Sequence, residues 1–343
     1  MRIENALQAR PEYRKTTASA TPSKTFGQVM QTAKAQDHYV PSAPPPRTEP
    51  EFSLAERTRP NGVTVSNACH AKLKQLAEID AQADYTGMSP DEIYAEIWNR
   101  YDEAFDGNMI AIRGCVAGPA EWGEVGHQFY TEVTRHIFNP AINAAWKEGV
   151  ELDGRPYTEW TYEEKTDLDR LCMEKADKIV HDAMMKTLGY DGMSFDERET
   201  AIREKYAGKN TTLDFLNLQS ELSMSGVLIH KMGMDRADTY LAMMRIQFDE
   251  AFNPNSIYNV GHEKCSMMTA DQWYRVADQP FDTAQFAAAM KDNLHRVSGH
   301  NGWTEDYVKL LEGLFDHFIT GAADDGLDSL LDLSLIHISE PTR

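Results

Sequence analysis

One block of 17 residues occurs twice in the chain. The block Tyr85–Tyr101, with the sequence YTGMSPDEIYAEIWNRY, recurs without a gap as Tyr190–Tyr206, with the sequence YDGMSFDERETAIREKY, and eight positions are identical. A repeat of this length constrains the fold because both copies carry the same local structural signals. We interpret it as the duplication of a helical unit, and the alternative is one efficient helix start that is used more than once.

Both copies have the sequence of a helix N-terminus. Ser89 and Ser194 each stand three residues before a glutamate, Glu92 and Glu197, which is the spacing of a capping box. The serine can accept a hydrogen bond from an otherwise unpaired backbone N–H, and the glutamate can reach back to the serine N–H. Pro90 suits the first position of the helix in the first copy.

Helix signals continue through residues 61–332. In the first copy Ile93, Ile97 and Tyr101 follow an i, i+4, i+8 spacing, so one helix face should be buried. The best strand candidate, Gly62–Ser66, is short. The sequence therefore predicts an all-α fold, a multi-helix bundle. Its predicted helices are 66–83, 89–105, 124–148 with a break near Asn139–Pro140, 162–187, 194–206, 212–232, 235–252, 270–278, 283–297 and 305–320.

The sequence divides into four parts. Residues 1–60 are rich in Ser, Thr, Pro, Ala and Gln, and we expect them to form a disordered tail because they offer little apolar surface to bury. Residues 61–150 and 151–332 each contain one copy of the block, and the segment 149–159 is the expected junction. Residues 333–343 resemble the translation of an adapter used in preparing DNA sequencing libraries, which leaves the native C-terminus open.

Charged residues are distributed unevenly along the chain. Residues 1–60 carry nine Lys and Arg against six Asp and Glu, whereas the rest of the chain carries 25 against 48. Nucleic acids and anionic membrane surfaces need basic partners, so this acidic body argues against both. The acidic body favours solubility. The alternative interpretation is that it binds basic partners or cations. No apolar run is long enough for a cleavable signal peptide or a membrane span, which predicts a cytoplasmic protein or one exported without such a peptide.

Motifs that carry chemistry are weak. The chain contains no G-x-G-x-x-G, P-loop or G-x-S-x-G pattern, and we expect no cofactor. The four cysteines are far apart and form no C-x-x-C pair, which is typical of a reduced protein without a disulfide framework.

Two groups of residues are candidate metal ligands. Glu124 and His127 form an E-x-x-H pair, which can contribute to a carboxylate-bridged metal site when a facing helix supplies further carboxylates. His262 and Cys265 have a spacing that zinc accepts, with His295 and His300 as further candidates. The alternative is that these side chains make ordinary hydrogen bonds or fill small gaps.

The leading functional hypothesis is a non-enzymatic bacterial helical protein that binds another protein, or an exported accessory protein whose tail acts as a docking arm or export signal. The 16 methionines would fill the core or form an adaptable groove for a partner. The alternative is a metal-dependent enzyme or a metal-stabilised helical domain, built on the candidate ligands above.

Overall fold

A computed structural model describes residues 51–114 and 118–234 continuously. It also describes residues 237, 238, 240–242, 244, 273, 275, 277–282, 288, 291, 294, 303–309, 312 and 313. Most of the predicted tail, the adapter-like segment and most of the predicted helices after residue 234 lie outside the described residues.

The described part of the chain is all-α, as the sequence predicts. Its helices are α1 Leu54–Arg57, α2 Asn67–Asp80, α3 Pro90–Ala104, α4 Met109–Gly114, α5 Ala120–Val133, α6 Asn139–Asp153, α7 Tyr162–Leu188, α8 Phe195–Tyr206, α9 Thr212–Met224 and α10 Val227–Met232. The strand candidate at Gly62–Ser66 forms an isolated antiparallel bridge between Thr58 and Thr64 instead. In the part of the chain that the structure describes, no helix is both long and apolar enough to cross a bilayer.

Both copies of the repeated block begin a helix at the predicted serine. The N–H of Ser89 donates to the Glu92 carboxylate at 2.8 Å before α3, and the N–H of Ser194 donates to Glu197 at 2.8 Å before α8. The glycine of each block has a positive φ, +83° in the first copy and +71° in the second. Only glycine adopts this conformation without strain, which explains why both copies keep it.

The predicted break near Asn139–Pro140 takes the form of a π turn, Thr134–Phe138, between α5 and α6. The N–H of Asn139 donates to the carbonyl of Thr134, five residues earlier, as in a π-helix. Pro140 has no N–H to donate and would crowd the preceding turn of a regular α-helix. A wider turn before the proline lets the chain stay helical, and it presents two polar side chains that are described below.

The predicted helix 212–232 is interrupted. α9 ends at Met224 and α10 begins at Val227, because Gly226 adopts a left-handed conformation with φ +79° between them. Such a residue commonly ends a helix.

Most of the buried apolar side chains among the described residues form one contiguous core. α3 contributes the predicted face of Ile93, Ile97 and Tyr101, and α8 contributes Ile202 and Tyr206. The core therefore contains residues from both copies of the block, while a domain boundary near residue 150 stays a prediction, and so does duplication as the origin of the repeat.

Residues 51–60, which the sequence places in the tail, pack against α2. The N–H of Phe52 donates to the Asn67 side chain at 3.1 Å, and the Phe52 ring lies edge-on to His70 with centroids 4.4 Å apart. The Arg57 guanidinium donates to the carbonyl of Val65 at 2.8 Å. The packed part of the chain thus begins before residue 61.

Candidate functional site

Residues 139–178 form a two-helix arm made of α6 and the first part of α7. A 3₁₀ turn, Tyr157–Glu159, connects the two helices after Gly154 ends α6 in a left-handed conformation. From Ile179 onward α7 packs on the main core. The arm's own buried side chains are not part of that core: Ala145, Trp160, Cys172 and Ala176. The segment that the sequence predicts as a junction is therefore the tip of this arm.

Aromatic side chains fix the tip of the arm. The ring centroids of Trp146 and Tyr157 are 5.3 Å apart, and those of Tyr157 and Trp160 are 5.6 Å apart. The Arg155 guanidinium binds Asp153 at 2.7 Å and Glu164 at 2.8 Å, which joins the end of α6 to the start of α7. A tip held in this way loses little conformational entropy when it contacts a partner.

The arm exposes large apolar side chains. Leu152 is 79% exposed and Tyr162 is 84% exposed, and both lie next to the aromatic tip in the chain. Trp146, Leu171 and Met173 are also exposed. A single exposed apolar residue is ordinary in a folded protein, whereas five lie on the two helices of this arm, which makes the arm a candidate interaction surface.

A second feature is a buried glutamate held by the first copy of the block. The Tyr101 hydroxyl donates to Glu132 Oε1 at 2.5 Å, and the Arg100 guanidinium donates to Glu132 Oε2 at 2.8 Å. Arg100 also donates to the hydroxyl of Tyr85 at 3.2 Å. Burial raises the pKa of Glu132, and the nearby Asp80 carboxylate raises it further. Burial and the hydrogen bond to Glu132 raise the pKa of Tyr101, so this hydroxyl stays a donor.

The second copy of the block holds another buried glutamate. The Tyr190 hydroxyl donates to Glu221 Oε1 at 3.0 Å, and Lys205 Nζ lies 2.5 Å from the same oxygen. Tyr206 also interacts with Glu221, and burial together with this carboxylate raises the pKa of Tyr206. The other oxygen, Glu221 Oε2, has no hydrogen-bond partner among the described residues.

The two glutamate clusters use equivalent positions of the repeat. Arg100 and Lys205 occupy the same position of the block, and each precedes the tyrosine that ends it. The glutamates come from different places: Glu132 lies on α5 and Glu221 on α9. Neither glutamate is among the residues that the sequence predicts as functional. A basic residue beside a buried tyrosine in both copies was the available signal for an acidic partner.

The π turn supplies a third polar contact. Arg135 and His136, its second and third residues, both bind the buried carboxylate of Asp80, with His136 Nε2 at 2.7 Å from Asp80 Oδ1. The ring of Tyr85 lies edge-on to His136 with centroids 4.8 Å apart. This contact ties the end of α2 to the turn, and it stabilises the base from which the arm starts.

A pH dependence follows from the raised pKa of Glu132. Because the folded-state pKa lies above the unfolded value, which is near 4.5, the proton-linked part of the contribution of Glu132 to stability is fully present below pH 4.5 and is lost as the pH rises through the folded-state pKa. Glu132→Gln keeps an acceptor but cannot ionise. We expect its free energy of unfolding, relative to the wild type, to increase as the pH is raised from below 4.5 to neutrality. Urea unfolding of both proteins across this range measures the difference, and a constant difference would contradict the assignment.

The predicted metal ligands are placed as follows. Glu124 accepts a hydrogen bond from the Asn61 side chain at 2.7 Å and lies 4.0 Å from the Arg59 guanidinium, and His127 is exposed. Among the described residues no three His, Cys, Asp or Glu side chains come together as metal ligands. His262, Cys265, His295 and His300 lie outside the described residues. Metal binding at Glu124 and His127 stays a prediction.

Comparisons of the chain with known protein families, with curated proteins and with solved structures find no match.

Proposed function

We propose that this chain is a non-enzymatic helical protein that binds another protein through the arm of residues 139–178. The observation that carries the proposal is that one element buries side chains outside the main core and also exposes large apolar side chains. α6 contributes no side chain to the main core, so the packing of the main core does not account for the presence of the arm. The arm nevertheless has a fixed tip and displays Leu152 and Tyr162 to solvent.

The exposed apolar side chains of the arm are of the kind found in protein–protein interfaces. Binding energy in interfaces is concentrated in a few aromatic and apolar side chains that sit on a rigid frame. The arm carries Tyr162, and its tip carries Trp146 and Tyr157, which are residue types that are enriched in such contacts. Two antiparallel helices also present long, regular faces to a partner, a common mode of recognition between helical proteins.

The proposal predicts a large effect of changes at the tip. The double variant Leu152→Ser/Tyr162→Ser removes two exposed apolar side chains and should change stability by less than about 0.5 kcal/mol. Affinity capture from cells that express the protein, quantified by mass spectrometry, should recover a specific partner with the wild type and about ten-fold less of it with the variant, since hot-spot truncations cost about 2 kcal/mol or more.

The matched control is Leu54→Ser on α1. Leu54 is 64% exposed but lies outside the arm. Its substitution should leave the recovery of the partner unchanged. Equal recovery with the arm variant and the wild type would show that the partner binds elsewhere, and the proposal would then be wrong.

A further inference from the structure

One exposed face of α7 combines apolar and acidic side chains. We call Tyr162, Asp169, Met173 and Asp177 the α7 strip. Their spacing of i, i+7, i+11 and i+15 keeps them on one side of an α-helix. All four are exposed, Tyr162 at 84% and Met173 at 52%. The strip covers about four turns, or roughly 22 Å of helix.

The acidic residues of the strip differ from their charged neighbours. Arg170 pairs with Glu174 at 2.8 Å and Lys178 with Asp182 at 2.6 Å, so these charges compensate one another along α7. No ion pair of Asp169 or Asp177 is found in the part of the chain that the structure describes. The strip therefore presents two uncompensated carboxylates beside two exposed apolar side chains.

We infer that the occupant of the α7 strip is a basic amphipathic helix of the partner protein, an inference that rests on the function proposed above. Apolar side chains of that helix would pack between Tyr162 and Met173, and its Lys or Arg side chains would pair with Asp169 and Asp177. Helices pack along one another in this way when apolar and charged positions repeat with the same period.

Charge selects this occupant over a second copy of the chain. The arm carries ten Asp and Glu against six Lys and Arg, and the whole chain has a net charge of −20. Two such arms would repel each other, whereas a basic helix gains long-range attraction before contact.

The inference is tested with synthetic peptides and the full chain. The probe is a helix-forming Lys/Leu peptide of about 15 residues, which matches the length of the strip. Its counterparts are a Glu/Leu peptide with the same apolar pattern and a Lys/Ser peptide with the same charge. We expect saturable binding of the Lys/Leu peptide, measured by calorimetry, and much weaker binding of the other two. Hydrogen exchange should show protection along α7.

Variants separate the strip from the general acidity of the chain. Asp169→Asn/Asp177→Asn should weaken binding of the Lys/Leu peptide by about ten-fold, which corresponds to a loss of about 1.4 kcal/mol of binding free energy. Glu78→Gln/Glu204→Gln removes the same charge at exposed positions outside the arm and should leave binding unchanged. Equal effects of both variants, or equal binding of the Lys/Leu and Glu/Leu peptides, would overturn the inference.

Failure of this inference is distinct from failure of the proposed function. If the tip variant reduces partner capture but the Lys/Leu peptide does not bind the strip, the arm binds a partner of another kind and the basic helix is wrong. If sedimentation shows self-association that Tyr162→Ser abolishes, a second copy is the occupant, and the inference is also wrong. If partner capture does not depend on the tip at all, the proposed function itself fails.

Discussion

Glu132→Ala is expected to lower the free energy of unfolding by about 3 kcal/mol, because the change leaves a buried charge and a buried hydroxyl without their partner. The Arg100 side chain is only 14% exposed and cannot turn to water without disturbing the core. The Tyr101 hydroxyl, which donates to Glu132 at 2.5 Å, would also lose its acceptor. Urea unfolding of the variant and the wild type at neutral pH measures the cost.

The second copy of the block offers an internal comparison. Glu221→Ala should cost less than Glu132→Ala, because the Lys205 side chain is 42% exposed and can move its ammonium group into solvent. Glu174→Ala on the arm is the surface control, and it should cost no more than about 0.5 kcal/mol. Equal costs at Glu132 and Glu174 would show that the buried cluster does not stabilise the fold.

Gly114→Ala is expected to destabilise the protein by about 2 to 3 kcal/mol through overpacking. A Cβ at this position would lie 2.2 Å from the side chain of Ser220 and 2.7 Å from its Cα, so α4 and α9 would have to move apart. Ser220 is fully buried and has no room to shift.

Gly123→Ala is a control for which we expect the opposite effect on protein stability. Gly123 lies within α5 and a Cβ there would meet nothing within 4 Å. Alanine is the better helix former, so this change should stabilise the protein by about 0.5 to 1 kcal/mol. Thermal unfolding of the two variants tests the pair. A neutral Gly114→Ala would mean that α4 and α9 do not pack as closely as the structure shows.

The helices that begin with local signals could be predicted from the sequence. The caps at Ser89 and Ser194 and the apolar spacing in α3 depend on residues within one or two turns, so they were visible without the fold. The helix predicted at 89–105 spans Pro90–Ala104, and the one at 162–187 spans Tyr162–Leu188. Local chemistry determined these elements.

The candidate site depends on contacts between distant parts of the chain. Glu132 and Glu221 contact the two copies of the repeat because α5 and α9 pack beside them. No residue spacing in the sequence predicts these contacts.

The arm was not predicted for another reason. The glycine and proline near residue 154 indicate a turn, but they do not tell a junction between domains from the tip of a helical hairpin. The exposure of Leu152 and Tyr162 is known only from the folded chain.

The proposed function requires the arm to be a binding surface. The most direct test is a photo-crosslinking amino acid placed at Met173 on the α7 strip and, in a separate protein, at Leu54 on α1, with both proteins expressed in their native cells. Both positions are exposed, at 52% and 64%. We predict a discrete crosslink to a second protein from position 173 and none from position 54. The same crosslinks from both positions, or a partner captured from position 54 alone, would show that the arm is not the binding surface.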